Sequence, residues 1–137
     1  MKEKLYCLLS IFAVAILVVG CPTFMGLEYE EDLVNGYAVR APDVMEDSAV
    51  VKKKKGSPNI GIVVVPSTVF AYGWNDDFIL AKRHPQKKDR KVDTSITHWY
   101  IVEVASGKVH GKLSEDEFNK LRTELKVPAE ISLKKIQ

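Results

Sequence analysis

The strongest constraint on the fold is a repeated pattern of short β-strand segments separated by turn residues. The pattern is clearest where Phe70, Tyr72 and Trp74 alternate with small or β-branched residues, which places the three aromatic side chains on one face of a strand. A polar turn follows at residues 75–77, and the apolar run 78–82 then returns. Two such runs joined by a short turn predict a β-hairpin.

Other segments carry the same signal. Strands are predicted at 37–41, 48–52, 97–104 and 108–110, with a short edge strand or packing tail near Ile131 and Leu133. Residues 60–65 are β-branched except for Gly61, which predicts a strand buried on both faces or crossing the centre of a sheet. Successive hairpins with short turns favour an antiparallel sheet over a parallel one.

One helix is predicted near the end of the chain. Ser114 and Glu117 have the spacing of a capping box, in which each side chain bonds the other residue's backbone amide. The helix that they open would bury Phe118, Leu121 and Leu125, spaced three and four residues apart. The predicted fold class is α+β and mostly β: an antiparallel sheet of about five to six strands with one C-terminal helix packed on it.

The first 21 residues have the composition of an export signal. Lys2 and Lys4 precede an uncharged apolar run over residues 5–19, which ends in Val18-Val19-Gly20-Cys21. This ending resembles the lipobox of bacterial lipoproteins, a resemblance that implies a lipid on the Cys21 thiol and cleavage just before it. The implied division is a signal peptide at 1–20, a lipid-anchored tether at 21–34 and a single β domain at 35–137.

An uncleaved transmembrane helix is the alternative for this segment. No charged residue occurs between residues 5 and 27, and about 20 apolar residues suffice to cross a bilayer. Both alternatives place the rest of the chain outside the cytoplasm at the cell membrane, because the lysines stay inside. Cys7 would leave with a cleaved signal, so Cys21 would be the one thiol of the mature chain, and no disulfide is predicted.

Two basic segments are the strongest surface signal. Residues 52–55 are four consecutive lysines before Gly56 and Pro58, and residues 82–91 hold a second group, so both are predicted to be loops. The cations are Lys52, Lys53, Lys54, Lys55, Lys82, Arg83, Lys87, Lys88, Arg90 and Lys91. Their predicted partners are an envelope protein, an anionic polymer or anionic headgroups. With a net charge of +2, nucleic-acid binding is not expected.

The candidates for chemistry are few. His98 and His110 could face each other across a hairpin, as a pH-sensitive or metal-binding pair, but solvent-facing strand histidines are the simpler interpretation. Asp76 and Asp77 could bind a cation, yet Asp is common in turns for its backbone hydrogen bonds. Aromatic residues such as Trp99 could line a groove or a core. No catalytic residue, metal ligand or cofactor site is predicted, and the chain is not expected to be an enzyme.

Several short motifs together resemble a family of small bacterial lipoproteins of unknown function. They are Asn35-Gly36-Tyr37, Trp74-x-Asp76-x-Phe78-Ile79-x-Ala81-Lys82-x-His84-Pro85, Trp99-Tyr100-Ile101, Gly111-x-Leu113 and Phe118. The resemblance covers most of the chain after the tether, and it implies no activity, substrate or cofactor.

The functional expectation is therefore a membrane-anchored extracytoplasmic lipoprotein that serves as a non-enzymatic binding or interaction module at the cell envelope. Two alternatives stay open at this point. One is an inhibitor or immunity-type lipoprotein, and the other is an uncleaved single-pass membrane protein with the same outward-facing domain.

Overall fold

The computed structural model describes residues 29–137, which form two antiparallel sheets and one helix. The first sheet has the order β1-β2-β3-β4, and the second has the order β8-β7-β6-β5-β9. The strands are β1 Tyr29–Asp32, β2 Tyr37–Ala41, β3 Ala49–Lys54, β4 Ser57–Val65, β5 Val69–Trp74, β6 Phe78–Arg83, β7 His98–Glu103, β8 Val109–Leu113 and β9 Lys134–Lys135; helix α1 is Glu115–Glu124, and a 3₁₀ turn spans Met45–Asp47.

The mostly-β class with one C-terminal helix is confirmed. The strands are divided between two sheets, whereas the sequence analysis placed five to six strands in one. The predicted hairpin is present as β5 and β6, with Tyr72 opposite Ala81 and Trp74 opposite Ile79. The Asn75 side-chain oxygen accepts hydrogen bonds from the amides of Asp77 and Phe78, which closes its turn.

The two sheets share a core. Val39 and Val50 of the first sheet pack in one cluster with Tyr72, Ile79 and Val102 of the second. Side chains of successive strand residues point to opposite faces, so the alternate residues of β6 and β7 are available to a second layer.

Helix α1 supplies that second layer. Phe118 packs with Leu80, Trp99 and Ile101 on the other face of the second sheet, and the Phe118 and Trp99 rings lie 4.6 Å apart. The capping box is present, since Ser114 and Glu117 each bond the other's backbone amide. Strands β6 and β7 are therefore buried on both faces, between the first sheet and the helix.

Strand β4 contradicts the prediction that residues 60–65 are doubly buried. Ile60, Ile62 and Val63 are 57%, 72% and 58% exposed, and burial is complete only at Val65. The physical reason is position: β4 is an edge strand of the first sheet, and among residues 29–137 no strand pairs with its second edge.

The folded structure begins before residue 35. Strand β1 lies inside the segment 21–34 that was assigned to a tether, and Glu30 and Asp32 in it pair with Arg40 and Ala38 of β2. The sheet accepts this acidic strand because basic side chains of β2 and β3 neutralise it. Residues 1–28, which include the predicted signal and Cys21, lie outside the described residues.

Candidate functional site

A polar cluster joins the two sheets at β1. The Tyr29 and Tyr72 hydroxyl oxygens are 2.5 Å apart, and both hydroxyls donate to the Glu31 carboxylate, with 2.6 Å between Tyr29 and Glu31. Lys134 of β9 completes the cluster, with its ammonium group 2.5 Å from the same carboxylate. One carboxylate of the first sheet is thus bound by three groups, two of which belong to the second sheet.

The electrostatics of the cluster follow from burial and these bonds. Burial raises the pKa of Tyr72, and its hydrogen bond to the Glu31 carboxylate raises it further. Burial also raises the pKa of Glu31, but the bonds from Lys134, Tyr29 and Tyr72 outweigh it and leave that pKa below its ordinary value. Because every member has a partner, the arrangement stabilises the sheet–sheet contact and offers no free group to a ligand.

An apolar cleft of about 310 Å³ opens beside the 3₁₀ turn, at the start of β5. Its walls are Met45, Val69, Phe70, Val92 and Ile136, and its polar lining consists of Glu46, Thr68, His84 and Thr94. This volume lies at the small end of the range for ligand sites, and a mostly apolar wall with a few polar groups is typical of them.

His84 is the main polar group of the cleft. Its ring stacks on Phe70, with 4.2 Å between the ring centroids, and its Nδ1 lies 2.8 Å from the carbonyl oxygen of Ile96. A carbonyl oxygen only accepts, so Nδ1 carries the proton and Nε2 of the neutral ring is an acceptor. Among residues 29–137 no group forms a hydrogen bond with Nε2, so this acceptor is open to water or to a ligand.

Thr68 fixes the backbone at the same place. Its φ is +78°, a left-handed conformation that is unusual for a β-branched residue. The Thr68 hydroxyl donates to the carbonyl oxygen of His84, and the next amide, that of Val69, bonds the carbonyl oxygen of Ser48 at 2.8 Å. Backbone conformations of this kind persist where surrounding bonds hold them, and they are enriched at functional sites.

A second surface lies on the first sheet, at the hairpin formed by β3 and β4. A groove of about 620 Å³ runs over Val51, Gly61 and Val63, with Arg40 at its side. The Arg40 guanidinium bonds the Glu30 carboxylate and also the backbone carbonyl oxygen of Pro58. The turn of the hairpin is thereby held close to β1.

The predicted loops at the two basic segments need correction. Lys52, Lys53 and Lys54 lie on strand β3, which accepts them because its last residues are at the solvent-exposed end of the sheet, and Lys82 lies on β6. Lys53 forms ion pairs with Glu30 and Asp32, while the Lys82 ammonium group lies 3.8 Å from the Trp99 ring centroid. The exposed cations that remain in the two segments are Lys54, Lys55, Lys87, Lys88, Arg90 and Lys91.

The proposed histidine pair is not formed. His110 lies opposite Ile101 and bonds the Glu103 carboxylate at 2.7 Å, whereas His98 lies opposite Arg83 at the far end of β7. Register shifts where β7 meets β8 contribute to this separation. Burial lowers the pKa of His98, and the nearby charges of Arg83 and Lys112 lower it further.

Asp76 and Asp77 occupy the β5–β6 turn, as the simpler interpretation predicted, and Trp74 stacks on Tyr72 with 5.9 Å between ring centroids. Across residues 29–137, no group of three acidic, histidine or cysteine side chains is placed to hold a metal ion. No helix in that same range is both long and apolar enough to cross a membrane.

Neither the cleft nor the exposed hairpin was predicted from the sequence. His84 gave no signal, because a histidine in a polar loop is common and its contact with Phe70 depends on the fold. For the hairpin, the sequence predicted burial where the structure shows exposure, because apolar β-branched residues indicate burial.

Comparison with known proteins adds the family. Residues 35–137, which cover the whole domain except β1, match the family described as "Protein of unknown function (DUF3997)". Neither a curated protein nor a solved structure matches the chain. The resemblance to a family of unknown function is confirmed to that extent, and the chain belongs to the DUF3997 family.

Proposed function

We propose that this protein is a membrane-anchored extracytoplasmic lipoprotein whose folded part is a non-enzymatic binding module. The anchor is supported by the lysines, the apolar run and the Gly20-Cys21 pair at the start of the chain. Two acyl chains on Cys21 would hold the domain stably at a membrane, where one chain alone gives marginal binding.

The observation that carries the binding function is the cleft beside His84. It combines an apolar wall with one unused acceptor, His84 Nε2, whose ring is fixed by Phe70 and the Ile96 carbonyl. Such a site accepts a small apolar group that ends in a hydrogen-bond donor, for example an aromatic ring with a hydroxyl group.

The same geometry favours binding over chemistry. The Thr68 hydroxyl already donates to the His84 carbonyl oxygen, so it is not bonded to the imidazole that would have to activate it. His84 Nδ1 is bonded to the Ile96 carbonyl oxygen, and within residues 29–137 no carboxylate orients the ring from behind.

The exposed cations of residues 87–91 give the module a second contact. Lys88 and Arg90 form no ion pair among the described residues, whereas Lys87 and Lys91 are close to Asp93 and Asp89. We assign to this loop a contact with an anionic polymer or envelope protein, with about 1 kcal/mol for each unpaired cation near an anionic surface.

Anchoring is tested with Cys21→Ser in the full chain. If Cys21 carries the lipid, the variant loses the lipid, stays unprocessed and no longer runs as the mature form on a gel. Unchanged processing and full membrane retention would contradict lipidation and favour an uncleaved helix. Cys7→Ser is the matched control, since this thiol lies within the predicted signal and its replacement should change nothing.

The cleft is tested with p-cresol and toluene, two probes of nearly equal size that differ by one hydroxyl group. NMR titration of the detergent-solubilised full chain should show stronger binding of p-cresol, with the largest shifts at His84 and Phe70. His84→Phe keeps the stacking and removes Nε2, so it should abolish the preference for p-cresol. Equal binding of both probes to the natural chain would contradict the assigned role of Nε2.

A further inference from the structure

The hairpin of β3 and β4 presents an aliphatic surface beside lysines. Ile60 and Ile62 are more than half exposed on one face of β4, Val63 is exposed on the other face, and Lys54 and Lys55 are exposed at the adjoining turn. Neighbouring exposed aliphatic residues of this size mark interaction surfaces more often than isolated ones do. Edge strands are normally protected by charge, shortness or cover, and β4 is nine residues long and uncharged.

This surface lies close to the point where the chain enters the fold. The Arg40 guanidinium bonds the carboxylate of Glu30, the second residue of β1, and it also reaches the carbonyl oxygens of Pro58 and Asn59. One arginine side chain therefore bridges the start of β1 and the hairpin. From Cys21 to Tyr29 the chain extends roughly 28 Å at most, which keeps β1 and the hairpin near any membrane that holds Cys21.

We propose that the β3–β4 hairpin docks on the anionic surface of the bilayer that anchors the chain. Ile60 and Ile62, which alternate onto one face of β4, enter the boundary between headgroups and acyl chains, while Lys54 and Lys55 contact the anionic headgroups. The unpaired backbone edge of β4 stays at headgroup depth, where water satisfies it. This inference rests on the membrane attachment of the proposed function and adds a second, reversible contact to it.

Charge favours a bilayer over a second copy of this chain. Residues 48–75 contain four lysines and no acidic residue, so pairing β4 with a second β4 would bring two basic hairpins together. Lys53 is neutralised by Glu30 and Asp32, but Lys54 and Lys55 form no ion pair among the described residues. An anionic headgroup layer complements these two cations, and the aliphatic side chains have the acyl boundary beneath it.

The test is the reactivity of a cysteine at the hairpin. Ile62→Cys is placed in the full chain with Cys7→Ser, reconstituted in vesicles of phosphatidylcholine with and without phosphatidylglycerol, and reacted with a water-soluble maleimide. Reaction should be slower in the anionic vesicles, because the docked hairpin excludes the reagent. Val109→Cys, at an exposed position of β8, is the matched control and should react equally in both.

Two further variants test whether the two lysines cause the docking. Lys54→Gln and Lys55→Gln, which change exposed side chains, should each lower the ratio of docked to free hairpin about fivefold. Equal, fast reaction at Ile62→Cys in both vesicles would overturn the docking. Slow reaction in both, with disulfide-linked dimers on oxidation, would also overturn it and identify a second copy as the occupant.

Flotation of the same samples separates this inference from the proposed function. A chain that floats with the vesicles and has a fully reactive Ile62→Cys contradicts the docking alone. A chain that does not float contradicts both the attachment and the docking.

Discussion

Strand β4 and the central pair β6–β7 differ in an instructive way. By composition β4 is the more hydrophobic, with three valines and two isoleucines in nine residues and no charge, yet most of its length is exposed. Strands β6 and β7 carry Lys82, Arg83 and His98, yet their middle residues are completely buried. Burial in this fold follows the position of a strand in the sheet, because only a central strand has neighbours on both edges and layers on both faces.

The same comparison separates stability from function. The central pair packs against the first sheet on one face and against helix α1 on the other, so its apolar residues stabilise the fold. Val65 of β4 belongs to that core, whereas Ile60, Ile62 and Val63 are exposed and remain available to a partner.

The largest expected effect is at the centre of the second sheet. Ile101→Ala removes a fully buried side chain and should lower the free energy of unfolding by roughly 2–5 kcal/mol. Ile62→Ala, the matched change on β4, should alter it by less than about 0.5 kcal/mol. Urea unfolding followed by tryptophan fluorescence measures both, and similar losses for the two variants would remove the distinction between the strands.

Gly73 tests how tightly the C-terminal segment packs on β5. A Cβ at this position would overlap the carbonyl oxygen of Ser132, and backbone atoms cannot yield as a side chain can. Gly73→Ala should therefore cost about 1–3 kcal/mol of unfolding free energy. Gly56→Ala, in the β3–β4 turn, is the control: it meets no atom within 4 Å and should cost about 1 kcal/mol, from its positive φ alone.

Glu31 tests the contact between the two regions. The pKa of Glu31 is lowered in the folded chain. Its contribution to the free energy of unfolding is therefore fully present above pH 4.5, the ordinary value, and is lost as pH falls through the folded pKa. Glu31→Gln should cost about 1–2 kcal/mol at neutral pH, since the carboxylate is 27% exposed and partly screened.

The control for Glu31 is the same measurement in acid. The natural chain and the Glu31→Gln variant should have similar free energies of unfolding well below pH 4.5, where the natural carboxylate is protonated in both the folded and the unfolded state. A difference that persists unchanged at low pH would show that the variant acts through packing and not through charge.

His98 should give the smallest effect. Burial lowers its folded pKa below 6.5, so the unfolded chain binds the proton first, and stability decreases as pH falls from 6.5 towards the folded pKa. His98→Phe removes this titration and also the buried Nδ1, for which no partner exists within the described part of the chain. Its unfolding free energy should be flatter across this pH range, and an unchanged slope would assign the titration elsewhere.

The sequence predicted local structure more accurately than it predicted how the strands are divided between sheets. The β5–β6 hairpin and the Ser114 capping box were correct, because each depends on contacts within a few residues. The division into two sheets was missed, since it depends on Pro66 and Ser67 carrying the chain from β4 to β5 between layers. The pairing of His84 with Phe70 was missed for a similar reason, because the two side chains meet only once β5 and β6 are in register.

Docking of the β3–β4 hairpin on an anionic membrane is tested most directly by hydrogen exchange of the full chain in vesicles, followed by mass spectrometry. Peptides that cover residues 60–65 should exchange more slowly with phosphatidylglycerol than with phosphatidylcholine alone, because docking restrains the opening of the β3–β4 hairpin. Peptides that cover β6 and β7 should exchange slowly in both, since their amides are paired and buried. Identical exchange of residues 60–65 in the two lipids would contradict the claim that the exposed strand is the membrane-facing surface of this protein.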